Sequence, residues 1–271
     1  MEPTGVALVT GANRGIGRAT ALELASRGFE VVATMRDPTK SNGLAKQARA
    51  AGGRLTVERL DLDDPASIEI PSGLRVLVNN AGIETEYRPV EDAPMDQWRR
   101  VFETNVFGLV EVTRRAVPVL REGGGGVVCN VTTSSLLFPM PFYSVYRASK
   151  AAVSALGESL QAEVAPHGIR VLEILPGPID TDMLRASDRL PEAAQNDAYR
   201  AAARHAHAQR QGVDAVVTPP EVAAATIVDA ILDDASPLRV GCDALSQGAL
   251  AAWRTTSDQE LLESFVASFG G

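Results

Sequence analysis

Cysteine and histidine are scarce in this chain. Two cysteines, Cys129 and Cys242, lie far apart among 271 residues and form no CxxC pair. A zinc ribbon and a disulfide framework are therefore not expected; two reduced, partly buried thiols are. The three histidines are His167, His205 and His207. The last two stand two apart and would point to different helix faces, so they are read as solvated and no metal site is expected. No GxSxG elbow occurs, which removes the support for a Ser-His-Asp hydrolase of that type. A basic excess is missing too: Lys+Arg number 26 against 34 Asp+Glu, a net charge of −8. Nucleic acid is a poor partner for such a surface. No apolar run approaches the roughly 18–20 residues of a membrane span. The start, Met1-Glu2-Pro3-Thr4, lacks the basic leader of a signal peptide, so a cytoplasmic protein is expected. Aromatics are only 5%, yet the hydrophobic fraction is 45% and the charged fraction 22%, the composition of a globular chain. The length suits one large core, so a single domain over 1–271 is expected.

What is present is a rhythm. Short runs rich in Val, Ile and Leu occupy 6–10, 30–34, 55–60, 76–79, 127–131, 171–175 and 238–241. Most show no polar alternation, as strands covered on both faces should. Helix-compatible stretches at 17–27, 95–121, 145–165 and 221–233 lie between them. Strand and helix in alternation predict an α/β fold with a doubly wound parallel sheet of about seven strands. The segment 181–218 is Ala- and Arg-rich without a strand signal and reads as a helical insertion, either a substrate lid or surface helix. Leu261, Leu262, Phe265 and Phe269 in the tail read as packing at helical spacing.

Two motifs carry chemistry. Thr10-Gly11-Ala12-Asn13-Arg14-Gly15-Ile16-Gly17 follows the first strand and opens a helix. Its glycines let the backbone turn tightly near a pyrophosphate, which the helix N-terminus favours. The spacing is GxxxGxG, not GxGxxG. In Tyr146-Arg147-Ala148-Ser149-Lys150, the tyrosine and lysine share one helical face. A phenol with a pKa of about 10 is a poor proton carrier at neutral pH, unless a cation favours the phenolate. Spacing alone leaves a chance pairing open.

Together with three further segments in order, these motifs make the chain resemble the short-chain dehydrogenase/reductase family from residue 6 to about 181. The segments are Asn79-Asn80-Ala81-Gly82, Thr104-Asn105-Val106-Phe107-Gly108 and Pro176-Gly177-Pro178-Ile179-Asp180-Thr181. The resemblance implies a Rossmann-like fold and hydride transfer with a nicotinamide cofactor. It implies that Tyr146 gives or takes the substrate proton, and that Lys150 binds the nicotinamide ribose and lowers the tyrosine pKa. It implies that Asn105 holds a relay water. The family's substrate-orienting serine usually stands thirteen residues before the tyrosine. Here that position is Thr133, with Ser134 as the alternative. Threonine carries the same donor and acceptor hydroxyl.

Cofactor contacts carried over by the resemblance fall on Gly11, Asn13, Arg14, Gly15, Ile16 and Gly17. They continue through Asp61 and Leu62 at the adenine, and Asn79, Ala81 and Gly82 along the adenosine. Pro176, Gly177, Ile179 and Thr181 complete them beside Tyr146 and Lys150. Met35 stands where NAD-using relatives carry Asp, and Arg36 follows. Arg36 and Arg14 favour the phosphate of NADP(H). Asp37 leaves NAD(H) open, because a carboxylate turned inward would repel that phosphate and bind the ribose.

Residues 136–142 and the start of the insertion, Met183 and Leu184, border the substrate in the family. Their apolar character points to a hydrophobic carbonyl or alcohol. Residues 33–37 and 141–142 look most like the hydroxysteroid/retinol dehydrogenase branch. Relatives form homodimers or homotetramers through helices matching 95–121 and 145–165. The expected function is an NADPH-dependent carbonyl reductase. A nucleotide-binding regulator without catalysis and a nucleotide-sugar epimerase-like enzyme are the competing classes; intact Tyr146, Lys150 and Asn105 argue against the former.

Overall fold

The central apolar runs pair side by side with aliphatic side chains on both faces, while the edge run Arg54–Arg59 is largely exposed. In the computed structural model, which describes residues 1–211 and 216–269, seven parallel strands form one sheet in the order β3-β2-β1-β4-β5-β6-β7. They are β1 (Val6–Val9), β2 (Glu30–Met35), β3 (Arg54–Arg59), β4 (Leu74–Asn79), β5 (Gly126–Val131), β6 (Ile169–Leu175) and β7 (Arg239–Gly241). Residues 212–215 of the insertion and the side chain of Phe269 lie outside the described residues.

Strand alternation splits the core in two. Ala7, Val9, Val31, Val76 and Cys129 face one layer, with Leu24 of α1 (Gly15–Arg27) and Ile227 of α8 (Pro220–Leu232). Leu8, Val32, Leu77 and Val128 face the other, with Val112 and Leu120 of α4 (Leu109–Glu122) and Leu160 of α5 (Ser144–Val164). Both cysteines are buried and free.

The stretch expected as one helix over 95–121 is interrupted. α3 (Met95–Phe102) passes into a π-helical segment, Glu103–Gly108, before α4 begins. A π-turn carries no period that a six-residue window could display, and such turns recur at functional sites. Short helices α2 (Leu44–Ala50) and α9 (Ala244–Trp253) were not expected. The insertion folds into α6 (Asp182–Ser187) and α7 (Arg200–Gln211), and the tail into α10 (Asp258–Phe269). A lone bridge pairs Ile179 with Thr218 across the ends of the insertion. No helix among the described residues is long and apolar enough to cross a membrane.

The strand order reverses between β1 and β4. Ligands of open α/β sheets bind outside the carboxyl ends of the strands at such a switch point. Here the loops after β1 and β4 meet, and a cleft of about 1220 Å³ opens there.

Candidate active site

Gly17 and Asn80 fix the switch point. A Cβ on Gly17 would stand 2.3 Å from Asn80 Nδ2 and 2.5 Å from the Gly11 carbonyl, so only glycine fits. Asn80 Nδ2 donates to the carbonyls of Thr10 at 3.0 Å and Gly11 at 3.2 Å. Thr10 Oγ1 accepts the amides of Asn80 and Ala81. The two loops are thereby sewn together under the cleft.

Asn79, expected along the adenosine, faces elsewhere. As the last residue of β4 it turns inward, and its Nδ2 donates to Thr113 Oγ1 and Asn130 Oδ1. Asn80 lines the cleft instead. Gly17 and Asn105 also stand behind the wall, whereas the other expected cofactor contacts lie on it. His207, read from the sequence as solvated, is half-buried and lines the cleft. The fold of α7 against the opening turns it inward.

At the adenosine end, Arg36 is exposed beside buried Met35. Arg14 pairs with Asp182 at 3.3 Å. The Asp37 carboxylate is taken by its own turn, accepting from Thr39 N at 3.1 Å and Thr39 Oγ1 at 2.6 Å. Those bonds, with Lys40 nearby, hold it below the usual carboxylate range.

At the other end, Tyr146 and Lys150 sit one turn apart on α5. The Lys150 ammonium lies 5.9 Å from the Tyr146 ring centroid and donates to the Val131 carbonyl at 2.9 Å. Burial pulls Lys150 down to about 8. The Tyr146 phenol is pushed above its ordinary value, by burial first and by the charge of Glu84 second. A hydrogen bond with the Thr133 side chain pulls the other way. Lysine is expected to lower this phenol; among the chain's own groups burial is the largest influence, and it acts in the opposite direction.

Thr133 and Ser134 both line the cleft, and of the two it is Thr133 whose side chain bears on the Tyr146 phenol. Thr133 caps the short 3₁₀ turn Ser134–Leu137, accepting from Ser135 N at 3.2 Å and donating to Ser135 Oγ at 3.1 Å. Ser134 is buried, and its amide donates to the Pro176 carbonyl at 2.8 Å. Asn105 sits on the π-segment, 1% exposed. Its side chain is committed to Ile83 and to Ser149 Oγ. A Cβ on Gly82 would lie 3.2 Å from Asn105 Oδ1 and 3.4 Å from Lys150 Nζ. The loop after β4 therefore runs close over both.

Phe138, Met140, Phe142, Met183, Leu184 and Phe265 give the cleft an apolar lining as well. Phe138 and Phe265 stack at 5.6 Å. Phe142 has φ +67°, a left-handed backbone rarely taken by a bulky residue. Glu84, Arg189 and Arg210 bring charge to this end. Sequence reasoning missed Glu84, which has no motif spacing to betray it.

A family model described as short chain dehydrogenase matches residues 5–191. An uncharacterized oxidoreductase of Bacillus subtilis, YusZ, is 38% identical over 192 residues, covering 67% of this chain and 68% of that one. A short chain dehydrogenase from Burkholderia cenocepacia, crystallised in complex with NADP, superposes with a TM-score of 0.76 at 26% identity, covering 99% of both chains. One from Burkholderia phymatum in complex with NAD also gives 0.76 at 26% identity, over 94% of this chain and 93% of that one. The glycine turn cleared for close approach, the switch-point cleft and the Tyr146–Lys150 pair fit a nicotinamide nucleotide. The chain belongs to the short-chain dehydrogenase family and is an NAD(P)-dependent oxidoreductase.

Proposed function

We propose that the protein is an NADPH-dependent reductase interconverting a carbonyl and a secondary alcohol on a largely apolar substrate. The observation that carries this reading is the buried, protonated Tyr146 phenol, set one helical turn before Lys150 in the switch-point cleft that Thr133 also lines. A neutral phenol is the form that gives a proton to an alkoxide developing on the substrate. The bound nicotinamide supplies or takes the hydride. Thr133 Oγ1 orients the substrate oxygen, and Lys150 holds the ribose next to Tyr146. Asn105 supports the wall behind them.

NADPH is favoured over NADH by Arg36, with Arg14 and Lys40 at the same end. The competing carboxylate of Asp37 is already engaged by Thr39. The apolar far wall favours a hydrophobic substrate. Exposed Phe107 (57%) and Met95 (61%) support a homodimer or homotetramer built through α3, α4 and α5; sedimentation as a monomer at micromolar concentration would refute that assembly.

The test is an absorbance screen of mixed ketones, aldehydes and alcohols with both nucleotides, with Tyr146→Phe alongside. Turnover by the parent, and a fall of roughly a hundredfold or more in the variant, is the expected result. A variant as fast as the parent, or a parent inactive on the whole panel, overturns the reading.

A further inference from the structure

The backbone before and after Glu84 is pinned from several directions. Ile83 is held on both its amide and its carbonyl by Asn105. The Thr85 carbonyl accepts from Arg189, and the Glu86 carbonyl from Gln97. The Tyr87 amide donates to Glu192 Oε2 at 3.0 Å, and its carbonyl accepts from Ala193 at 3.1 Å. A carboxylate on so fixed a segment is placed rather than merely tolerated.

Its side chain lines the cleft, near enough to Tyr146 for its charge to raise the phenol. Among the described residues the Glu84 carboxylate has no hydrogen bond and no ion pair within 4.0 Å. The two cations facing it are directed elsewhere. Arg210 donates to Tyr143 Oη and Ser187 Oγ. Arg189 donates to the carbonyls of Ala186 and Thr85 and pairs with Glu192. Half-buried acids without a partner are costly, and burial has already driven this one up to about 7. A group at that cost in a substrate cleft has a use if the ligand completes it.

We infer that Glu84 is a specificity-determining residue that accepts a hydrogen bond from a hydroxyl group of the substrate near its reacting carbon. This rests on the carbonyl-reductase reading above and narrows it. The substrate class becomes an α-hydroxyketone, or the vicinal diol it interconverts with, carried on an apolar body that packs against Phe138, Met140 and Met183 in the same cleft. The O–H donates to Glu84, while the neighbouring carbonyl oxygen faces Tyr146 and Thr133. An apolar ketone without the donor leaves the carboxylate buried and unmatched, which is the arrangement that discriminates most strongly between ligands.

The experiment uses benzylacetone bearing an α-hydroxyl, and the same compound with that hydroxyl methylated, as a matched pair. The ether keeps the oxygen and loses only the donor. Above about pH 8, where Glu84 is ionised, the parent protein with NADPH is expected to favour the hydroxyketone by about tenfold in kcat/KM, the scale of a hydrogen bond to a charged acceptor. In Glu84→Ala the preference should vanish. In Glu84→Gln, whose amide oxygen still accepts, it should shrink. NADPH fluorescence on binding confirms that each variant is folded. A parent preference near or below one, or a preference unchanged in folded variants, overturns the assignment of Glu84 alone. If the parent reduces neither compound with either nucleotide, nor anything in the wider screen, the carbonyl-reductase reading fails and this inference with it.

Discussion

Asn105 Oδ1 accepts the amide N–H of Ile83 at 2.8 Å, and Asn105 Nδ2 returns a bond to the carbonyl of the same residue at 2.9 Å. One side chain thus satisfies both backbone groups of a loop residue, as a neighbouring strand would. The third bond, Nδ2 to Ser149 Oγ at 3.1 Å, ties that clamp to the helix of Tyr146, because Ser149 Oγ donates in turn to the Tyr146 carbonyl at 2.7 Å. Loop, π-segment and the helix of Tyr146 are thereby tied together through one side chain.

The clamp predicts an ordering of variants. Asn105→Ala leaves buried polar groups of Ile83 unpaired and should cost about 2 kcal/mol in denaturant unfolding. Asn105→Asp should cost at least as much, since it sets a carboxylate against the Ile83 carbonyl. An aspartate variant as stable as the parent would show that the amide is not holding the loop.

Lys150 gives a prediction in pH. Its folded value is about 8, against an ordinary 10.5. Below about 8 the folded chain bears the full cost of a buried ammonium. Between 8 and 10.5 the unfolded chain holds a proton that the folded chain has released, so stability of the parent rises with pH through that window. A neutral amine still donates to Val131. Lys150→Met removes the titration. Without added nucleotide, the melting temperature of the variant minus that of the parent should therefore fall between about pH 7 and pH 10. A difference flat across that range would mean that Lys150 keeps an ordinary pKa.

The sheet was legible in the sequence because strands covered on both faces are unbroken aliphatic runs, and all seven lie within two residues of where the runs stand. The site was legible where side-chain spacing is the signal, as with Tyr146 and Lys150 on one helical face. It failed at neighbours. Asn79 and Asn80 are indistinguishable by type, and only the end of β4 at Asn79 decides which one turns inward. The α9 helix begins with Asp243 and Ser246 capping one another, a pair less conspicuous than Ser with Glu. Glu84 is one of two acids in its loop, with Glu86, and nothing but the fold of 83–87 tells which of them lines the cleft.

Thr133 and Ser134 can be separated by kinetics. If the Thr133 hydroxyl orients the substrate oxygen as proposed, Thr133→Ala should lose on the order of a hundredfold in kcat, as expected for a donor at the reacting oxygen. Thr133→Ser should recover most of it. Ser134→Ala touches a side chain whose backbone, not hydroxyl, bonds Pro176, and should lose far less. The reverse order would put the substrate oxygen one residue along.

The proposed preference for NADPH rests mainly on one exposed cation. Arg36 stands at the end of β2, where Met35 brings no carboxylate and Asp37 is occupied by Thr39. A guanidinium grips a phosphate through two parallel N–H groups, so its loss should fall on NADPH alone. Arg36→Leu is expected to reduce kcat/KM for NADPH by about tenfold or more and to leave NADH nearly unaffected. Arg14 should contribute less, because Asp182 already takes part of its charge at 3.3 Å. Equal losses with the two nucleotides would place Arg36 against a part of the cofactor that both share, and the adenosine end would then have to be read as built for NADH.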